Sequence, residues 1–319
     1  MEMNPNGETD ILKRFLLIFF VLAAVAVSGA ALAVYVTPPP PAPPVMPPPP
    51  ATEAWSAVVM DAESGDVLAA RDPERRVNPA STTKILTCII SLEEGHDRLQ
   101  ENAVITPRAM AAEGTTLGVR TDLPISLWEM LQGMMLISGN DAAVAAAETV
   151  GGSEERFVEM MNEKSAAIGA VHSHFANPNG LTDPGHYTTA EDMAKIAAYA
   201  MKNPQFRHIV SEKFHSMTYR DGMVRTVKNS NDFLFSGYAG ANGIKTGPTD
   251  AAGDCLVASA ERNGRLMIAV FYHDDRRWED PPVWLDYGFS VMEKKLAYEQ
   301  ARAAEPAFYR MVNTLTGRE

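Results

Sequence analysis

Hydrophobic and polar positions change rhythm along this chain, and each rhythm predicts a different kind of segment. Residues 15–36 carry no charge and follow directly on Lys13 and Arg14. A run of that length crosses a bilayer as one helix, and the positive flank places residues 1–14 in the cytoplasm. The same run also reads as a secretory signal peptide, with its apolar region over residues 15–27 and Ala31-Leu32-Ala33 as the processing site. Because the apolar run continues past that site, an uncleaved transmembrane anchor is the favoured expectation. Either way, the rest of the chain is expected outside the cytoplasmic membrane. Residues 37–53 lose all periodicity: prolines at 38–41, 43, 44 and 47–50 favour extended polyproline II and cannot build a core, so they read as a stiff spacer.

A globular pattern begins at about residue 54. Residues 55–60 and 67–70 are rich in β-formers and flank the turn residues Glu63, Ser64, Gly65 and Asp66, which predicts a hairpin. Residues 255–260 and 266–272 flank Asn263-Gly264, a strong two-residue hairpin signal. The two hairpins are expected to share one antiparallel sheet. Between them the pattern is mostly helical. Residues 81–93 place Ile85, Cys88, Ile89 and Leu92 on one helical face. Ser126-Leu127-Trp128-Glu129 fits a capping box ahead of a helix over 130–137. The alanine-rich stretch 141–150 stops at Gly151-Gly152, where Ser153 can cap a further helix to about 168. Thr188 with Glu191 predicts another cap, for a helix that ends near Asn203-Pro204, and residues 293–304 are also helix-forming. Strands first, helices in the middle and strands last give an α+β fold, an antiparallel sheet flanked by helices with an inserted helical lobe.

Composition narrows the function classes. With 319 residues and 46% hydrophobic content, the chain can bury one sizeable domain, expected over 54–292 with a tail at 293–319. A net charge of -12 works against nucleic acid as a partner, because phosphate recognition needs clustered Lys and Arg. Cys88 and Cys255 form neither a disulfide framework nor a Cys-x-x-Cys pair, and read as buried small hydrophobes, although one bridge between them stays open. His172, His174 and His186 lack Asp, Glu or Cys companions at ligand spacing, so no metal site is expected. Met130, Met134 and Met135 read as helix core, and Asp274, Asp275, Arg276 and Arg277 as a solvated loop.

Three short motifs carry the chemistry: Ser81-Thr82-Thr83-Lys84, Ser138-Gly139-Asn140 and Lys245-Thr246-Gly247. Any one alone also fits an N-cap, an interhelical turn or a strand end; together, in this order, they point to acyl transfer. A serine hydroxyl is a weak nucleophile until a base takes its proton, and on a helix the residue three positions on shares its face. Lys84 therefore stands beside Ser81 and must be neutral to act, which burial or a second cation such as Lys245 achieves. At a helix N-terminus Ser81 also meets free N–H groups that favour developing negative charge. Ser138 on a loop can relay a proton to a leaving amine, and Asn140 can orient a substrate backbone. Lys245 and Thr246 can grip a carboxylate, with Gly247 allowing close approach.

With these motifs in hand, the sequence resembles the serine D-alanyl-D-alanine carboxypeptidases, the low-molecular-mass penicillin-binding proteins of the peptidase S11 type. The likeness runs beyond the motifs, through Asn78-Pro79-Ala80, Asn140-Asp141-Ala142-Ala143, His174-Phe175-Ala176-Asn177-Pro178-Asn179-Gly180-Leu181, Gly243-Ile244, and Ala252-Gly253-Asp254 to Ala260. It covers residues 55–292. The resemblance implies a β-lactamase/transpeptidase-like fold, with Ser81 acylated by the penultimate D-alanine of a peptidoglycan stem peptide and the last D-alanine released. It implies Lys84 as base, Ser138 as proton relay, Lys245 and Thr246 as the carboxylate grip, β-lactams as covalent inhibitors, and no metal or organic cofactor. An alternative, a class A-like β-lactamase, is disfavoured because no Glu-x-x-Leu-Asn lies between Ser138 and Lys245; a weakened peptidoglycan-binding module is the other.

Two departures stand out. Similar carboxypeptidases often carry a C-terminal β-domain and an anchoring helix, whereas residues 293–319 alone follow Met292, so the N-terminal segment is expected to anchor. In the family the N–H after Lys-Thr-Gly completes the oxyanion hole; here that residue is Pro248, which has none. The expectation is slow turnover, or donation by Thr249 or a water.

Overall fold

The structure, a computed structural model, describes residues 19–20, 28–29 and 37–318. The expected span at 15–36 lies outside the described residues apart from those four positions; among the described residues no helix is long and apolar enough to cross a membrane. The prolines of 38–50 form no regular element. By backbone compactness the chain divides into Pro47–Met292 and a second unit of Met1–Met46 with Glu293–Glu319.

Within Pro47–Met292, strand alternation builds the sheet. Strands β1 (Ser56–Asp61) and β2 (Val67–Arg71) form the first hairpin, and β6 (Leu256–Arg262) and β7 (Arg265–Tyr272) the last. β1 pairs antiparallel with β7, which joins the hairpins in one sheet of order β2-β1-β7-β6-β5, where β5 is Ala241–Thr246. Period-two alternation sorts the side chains into two cores. Val58, Met60, Ile268 and Val270 enter one cluster, with Ile85, Ile89 and Met193 from helices. Ala57, Val59, Ala269 and Phe271 enter the other, with Trp284 and Leu285. The sheet is therefore covered on both faces, and every residue of β1 is buried.

The helices are α1 (Lys84–Glu94), α2 (Pro107–Met110), α3 (Leu127–Ile137), α4 (Asn140–Gly151), α5 (Glu154–Ile168), α6 (Ala190–Ala200), α7 (Pro204–Ser211), α8 (Asp280–Ala304) and α9 (Ala307–Leu315). Met130, Met134 and Met135 are core, as their spacing predicts. Several boundaries differ from expectation for identifiable reasons. The Ser126 hydroxyl does accept from the Glu129 N–H (3.2 Å), but the Glu129 carboxylate meets His215 (2.8 Å) instead of closing the capping box. Thr189, not Thr188, caps α6, accepting from the Asp192 N–H (3.1 Å), while the Thr188 hydroxyl pairs with Ser173 (2.8 Å). Asn203-Pro204 ends one helix and starts another, α7, because Asn203 caps and proline suits the first turn.

A second hairpin, β3 (Phe214–Thr218) with β4 (Val224–Lys228), breaks the helical stretch. Each of its strands buries a single residue, Met217 or Val227, so apolar alternation is too weak to mark it. Asp274 is buried rather than solvated: its Oδ1 accepts from the Arg276 N–H (3.0 Å), and burial raises its carboxyl to about 6. Cys88 and Cys255 are free and buried; burial raises both thiols, Cys255 to about 12, which leaves them inert.

Candidate active site

Ser81 lies in a 3-10 turn, Ala80–Thr83, and the α-helix proper begins only at Lys84. This differs from the expected helical start and improves the pairing, since side chains three apart eclipse in a 3-10 turn. The two threonines between nucleophile and lysine bolt the turn in place. The Thr82 hydroxyl donates to Pro79 O (2.6 Å) and meets the Tyr272 hydroxyl at the end of β7 (3.0 Å). The Thr83 hydroxyl meets His186 Nε2 (2.8 Å). His186 Nδ1 accepts from the Ala176 N–H (3.0 Å), so Nε2 carries the proton, and burial lowers the imidazole to about 4, keeping it neutral. His186 is thus a structural fastener.

Lys84 is fully buried, and its Nζ has three oxygen neighbours: Ser81 Oγ at 2.9 Å, Asn140 Oδ1 at 2.7 Å and Asn179 O at 2.6 Å. Burial, then the charge of Lys245, holds its pKa well below the lysine norm, against a smaller pull from Asp141. The count of partners matters. A neutral amine has two N–H bonds and one lone pair, and Asn140 Oδ1 and Asn179 O can only accept. In the neutral form of Lys84 the lone pair therefore faces the Ser81 hydroxyl. The orientation of Asn140 is fixed because its Nδ2 donates to Glu113 O (2.6 Å), leaving Oδ1 for Lys84.

The second motif sits at the α3–α4 junction. Ser138 ends α3 in the left-handed region (φ 68°), is half-buried, and its hydroxyl makes no hydrogen bond among the described residues. Asn140 opens α4. Asp141, buried, gathers the Leu117, Gly118 and Val119 N–H groups at 2.7, 2.7 and 2.9 Å, which ties the 113–119 loop beside the nucleophile.

Lys245 and Thr246 end β5, the sheet's edge strand, just before the last strand pair, β6 and β7. Ala241, Asn242 and Gly243 give β5 little strand propensity, so pattern alone misses it. Lys245 Nζ donates to Thr246 O (3.0 Å), and burial lowers it to about 7. Its charge reaches Lys84, but it makes no hydrogen bond to Ser81. The Thr246 hydroxyl lies 3.4 Å from that of Ser230 on the preceding loop. A Cβ on Gly247 would lie 2.7 Å from Ser81 N and 3.1 Å from Thr82 N, so this glycine makes room for the nucleophile's own backbone.

A cleft of about 140 Å³ opens on Ser81, lined by Thr115, Asn140, Leu181, Pro248 and Thr249 among others. Ser81, Lys84 and Asn140 are thus joined directly; Lys245 and Gly247 adjoin them, while Ser138 and Thr246 are not bonded to either Ser81 or Lys84. Asn179 contributes a backbone carbonyl, which no side-chain motif could signal. Its neighbour Gly180 (φ 90°) has its missing Cβ 1.8 Å from Ala80 O. Gly180→Ala is expected to cost at least about 2 kcal/mol and to slow Ser81 acylation, read by melting temperature and by labelling rate; a variant as stable and fast as the parent would deny the loop this role.

Comparison with known proteins agrees with this geometry. The model of the peptidase S11 family, D-alanyl-D-alanine carboxypeptidase, matches residues 44–275. D-alanyl-D-alanine carboxypeptidase DacF of Bacillus subtilis is 33% identical over 261 residues, covering 78% of this chain and 66% of that protein. DacB2 of Mycobacterium tuberculosis is 36% identical over 242 residues, covering 73% of this chain and 81% of that protein. The chain thus spans just under two thirds of DacF and more of DacB2. Among solved structures, the Streptomyces K15 DD-transpeptidase superposes with a TM-score of 0.71 at 29% identity, over 76% of this chain and 100% of that one. A penicillin-binding protein homologue from Mycobacterium tuberculosis gives 0.72 at 32% identity, over 78% and 96%. With a family model over more than half its length and relatives above 30% identity, this chain belongs to the D-alanyl-D-alanine carboxypeptidase family, peptidase family S11.

Proposed function

We propose that the chain is a serine D-Ala-D-Ala carboxypeptidase that trims the terminal D-alanine from peptidoglycan stem peptides. The observation that carries this reading is the Ser81 Oγ–Lys84 Nζ contact of 2.9 Å, made by a lysine whose other two partners are obligate acceptors. Lys84 takes the Ser81 proton as Oγ attacks the penultimate D-alanine carbonyl. The carbonyl pair moves to oxygen, then returns to expel the terminal D-alanine amine, which takes a proton relayed through the Ser138 hydroxyl. Asn140 orients the substrate amide, Lys245 and Thr246 hold its carboxylate, and Gly247 leaves the space in which nucleophile and edge strand meet. Water then attacks the acyl-enzyme, with Lys84 again as base. A β-lactam presents a strained amide to the same Ser81 and leaves a longer-lived ester.

The test is mass spectrometry of the full chain after benzylpenicillin, with D-alanine release from a D-Ala-D-Ala pentapeptide measured in parallel. One adduct at Ser81, absent in Ser81→Ala, is expected; an adduct elsewhere, or none, rejects the reading. We further infer that residues 15–36 hold the chain to the membrane with the catalytic domain outside the cytoplasm, supported by the uncharged run and its Lys13-Arg14 flank. Recovery of the full-length chain in a salt-washed soluble fraction would reject that attachment.

A further inference from the structure

Two basic side chains stand apart from the catalytic group. Arg75 and Arg76 precede the nucleophile turn in a chain of net charge -12, yet neither guanidinium meets a carboxylate among the described residues. Each lies on an aromatic face instead: Arg75 Cζ is 4.5 Å from the Trp55 ring centre and Arg76 Cζ is 4.2 Å from that of Tyr187. A cation held over a ring loses side-chain freedom while its N–H edge stays open to an anion.

The platform is rigid. Val77 exchanges both backbone hydrogen bonds with Thr188 at 3.0 Å, and Tyr187 exchanges both with His174 at 2.9 Å, so Arg76 and Tyr187 ride on paired segments. They line a groove of about 280 Å³ with Val77, Asn78 and Pro184. The carboxylate on the same loop, Asp183, turns its Oδ1 to the Gly185 N–H (2.6 Å).

The groove lies along the same two loops as the catalytic cleft. Asn179, Gly180 and Leu181 line the cleft, and Pro184 and Tyr187, further along that loop, line the groove. Asn78 Nδ2 donates to Ala251 O (3.5 Å), in the turn that carries Pro248 and Thr249 into the cleft. Arg76 and Ser81 are five positions apart, so their Cα atoms are at most about 18 Å apart. Three residues of an extended peptide acylated on Ser81 cover about 10 Å, and the long arginine side chain spans the rest.

We propose that Arg76, held on Tyr187, is an anion subsite that receives a carboxylate of the substrate's acyl-side peptide, upstream of the scissile bond. The proposal rests on the carboxypeptidase reading above and adds to it a preference for stem peptides with a free carboxylate over their amidated forms.

The experiment compares two synthetic pentapeptides, L-Ala-γ-D-Glu-L-Lys-D-Ala-D-Ala and its isoglutamine counterpart, on the full chain, with fluorescent-penicillin labelling alongside. The parent protein is expected to prefer the free carboxylate about fivefold in kcat/KM, the scale of one exposed charge pair. Arg76→Gln should erase that preference through KM, with kcat, penicillin labelling and melting temperature unchanged; Arg76→Lys should keep part of it, and Tyr187→Leu should weaken it. An unchanged preference in Arg76→Gln, with labelling intact, overturns the subsite alone. A parent protein that neither labels at Ser81 nor releases D-alanine overturns the carboxypeptidase reading, and the subsite with it.

Discussion

Lys84→Met is expected to slow acylation of Ser81 by about 10²–10⁴-fold, the range a positioned general base supplies, while the protein stays folded. The expectation follows from the partner set of Nζ. Asn140 Oδ1 and Asn179 O consume both N–H bonds of the neutral amine, so the lone pair has one oxygen left to serve, Ser81 Oγ. Methionine preserves most of the buried volume but leaves those two acceptors without a donor, at a cost of about 1–3 kcal/mol each. Melting temperature therefore separates loss of base from loss of fold. Stopped-flow labelling with a fluorescent penicillin gives the rate, and a variant that acylates within fivefold of the parent would remove Lys84 from the mechanism.

The same lysine pair sets the pH dependence. The Lys84 pKa is lowered, so its neutral, active form exists at lower pH than for a free lysine and is lost as pH falls through that value. Lys245, lowered by burial to about 7, is a cation below that pH and loses its proton as pH rises through it. Its loss both frees the substrate carboxylate and relaxes the charge that depresses Lys84. kcat/KM for a carboxylate-bearing peptide should be bell-shaped, with an alkaline limb near 7 that Lys245→Gln removes along with most of the activity. A rate in the parent that keeps climbing to pH 9 would deny Lys245 the role of cation.

Pro248→Thr is expected to accelerate acylation by roughly 10²-fold, the scale of one oxyanion-hole donor. The register explains why. The Gly247 N–H donates to Cys255 O (3.1 Å) and the Thr249 N–H faces Gly253 O (3.4 Å), so both neighbours of Pro248 turn their donors toward the adjoining strand. Alternation along an extended segment points the nitrogen of position 248 the other way, and Pro248 lines the cleft beside Ser81. In that position proline offers no hydrogen, and Thr249 is turned away from the substitute role the sequence suggested for it. Ser81 N, against which Gly247 packs, would then stabilise the developing oxyanion without a partner from β5. Equal acylation rates in Pro248→Thr and the parent, at unchanged melting temperature, would show that no donor is missing at this position.

Much of the architecture follows from local rules. Glu63-Ser64-Gly65-Asp66 and Asn263-Gly264 mark two hairpins whatever surrounds them, because few other residues take those turns cheaply. Gly151-Gly152 followed by Ser153 separates α4 from α5 through a glycine end and a serine cap. Elements set by weak local signals were less legible. β3 and β4 bury one residue each and pair with one another, and β5 opens with alanine, asparagine and glycine, so apolar alternation is too weak to mark any of the three. Asp274, beside three charged neighbours, reads as solvent-facing until the fold buries it.

The candidate site divides along the same line. By itself the sequence determined that Ser81 and Lys84 share one face of a helical turn, that Ser138-Gly139-Asn140 joins two helices, and that the residue after Gly247 lacks an N–H; covalent structure and short-range geometry suffice for each. Only the tertiary structure decided that Lys84 is buried against Asn140 Oδ1 and the Asn179 carbonyl, that Lys245 is near enough to lower its pKa, and that Gly247 and Gly180 clear space for the backbone of Ala80 and Ser81. These are effects of desolvation, charge and excluded volume between segments distant in sequence, and such effects exist only once the segments meet.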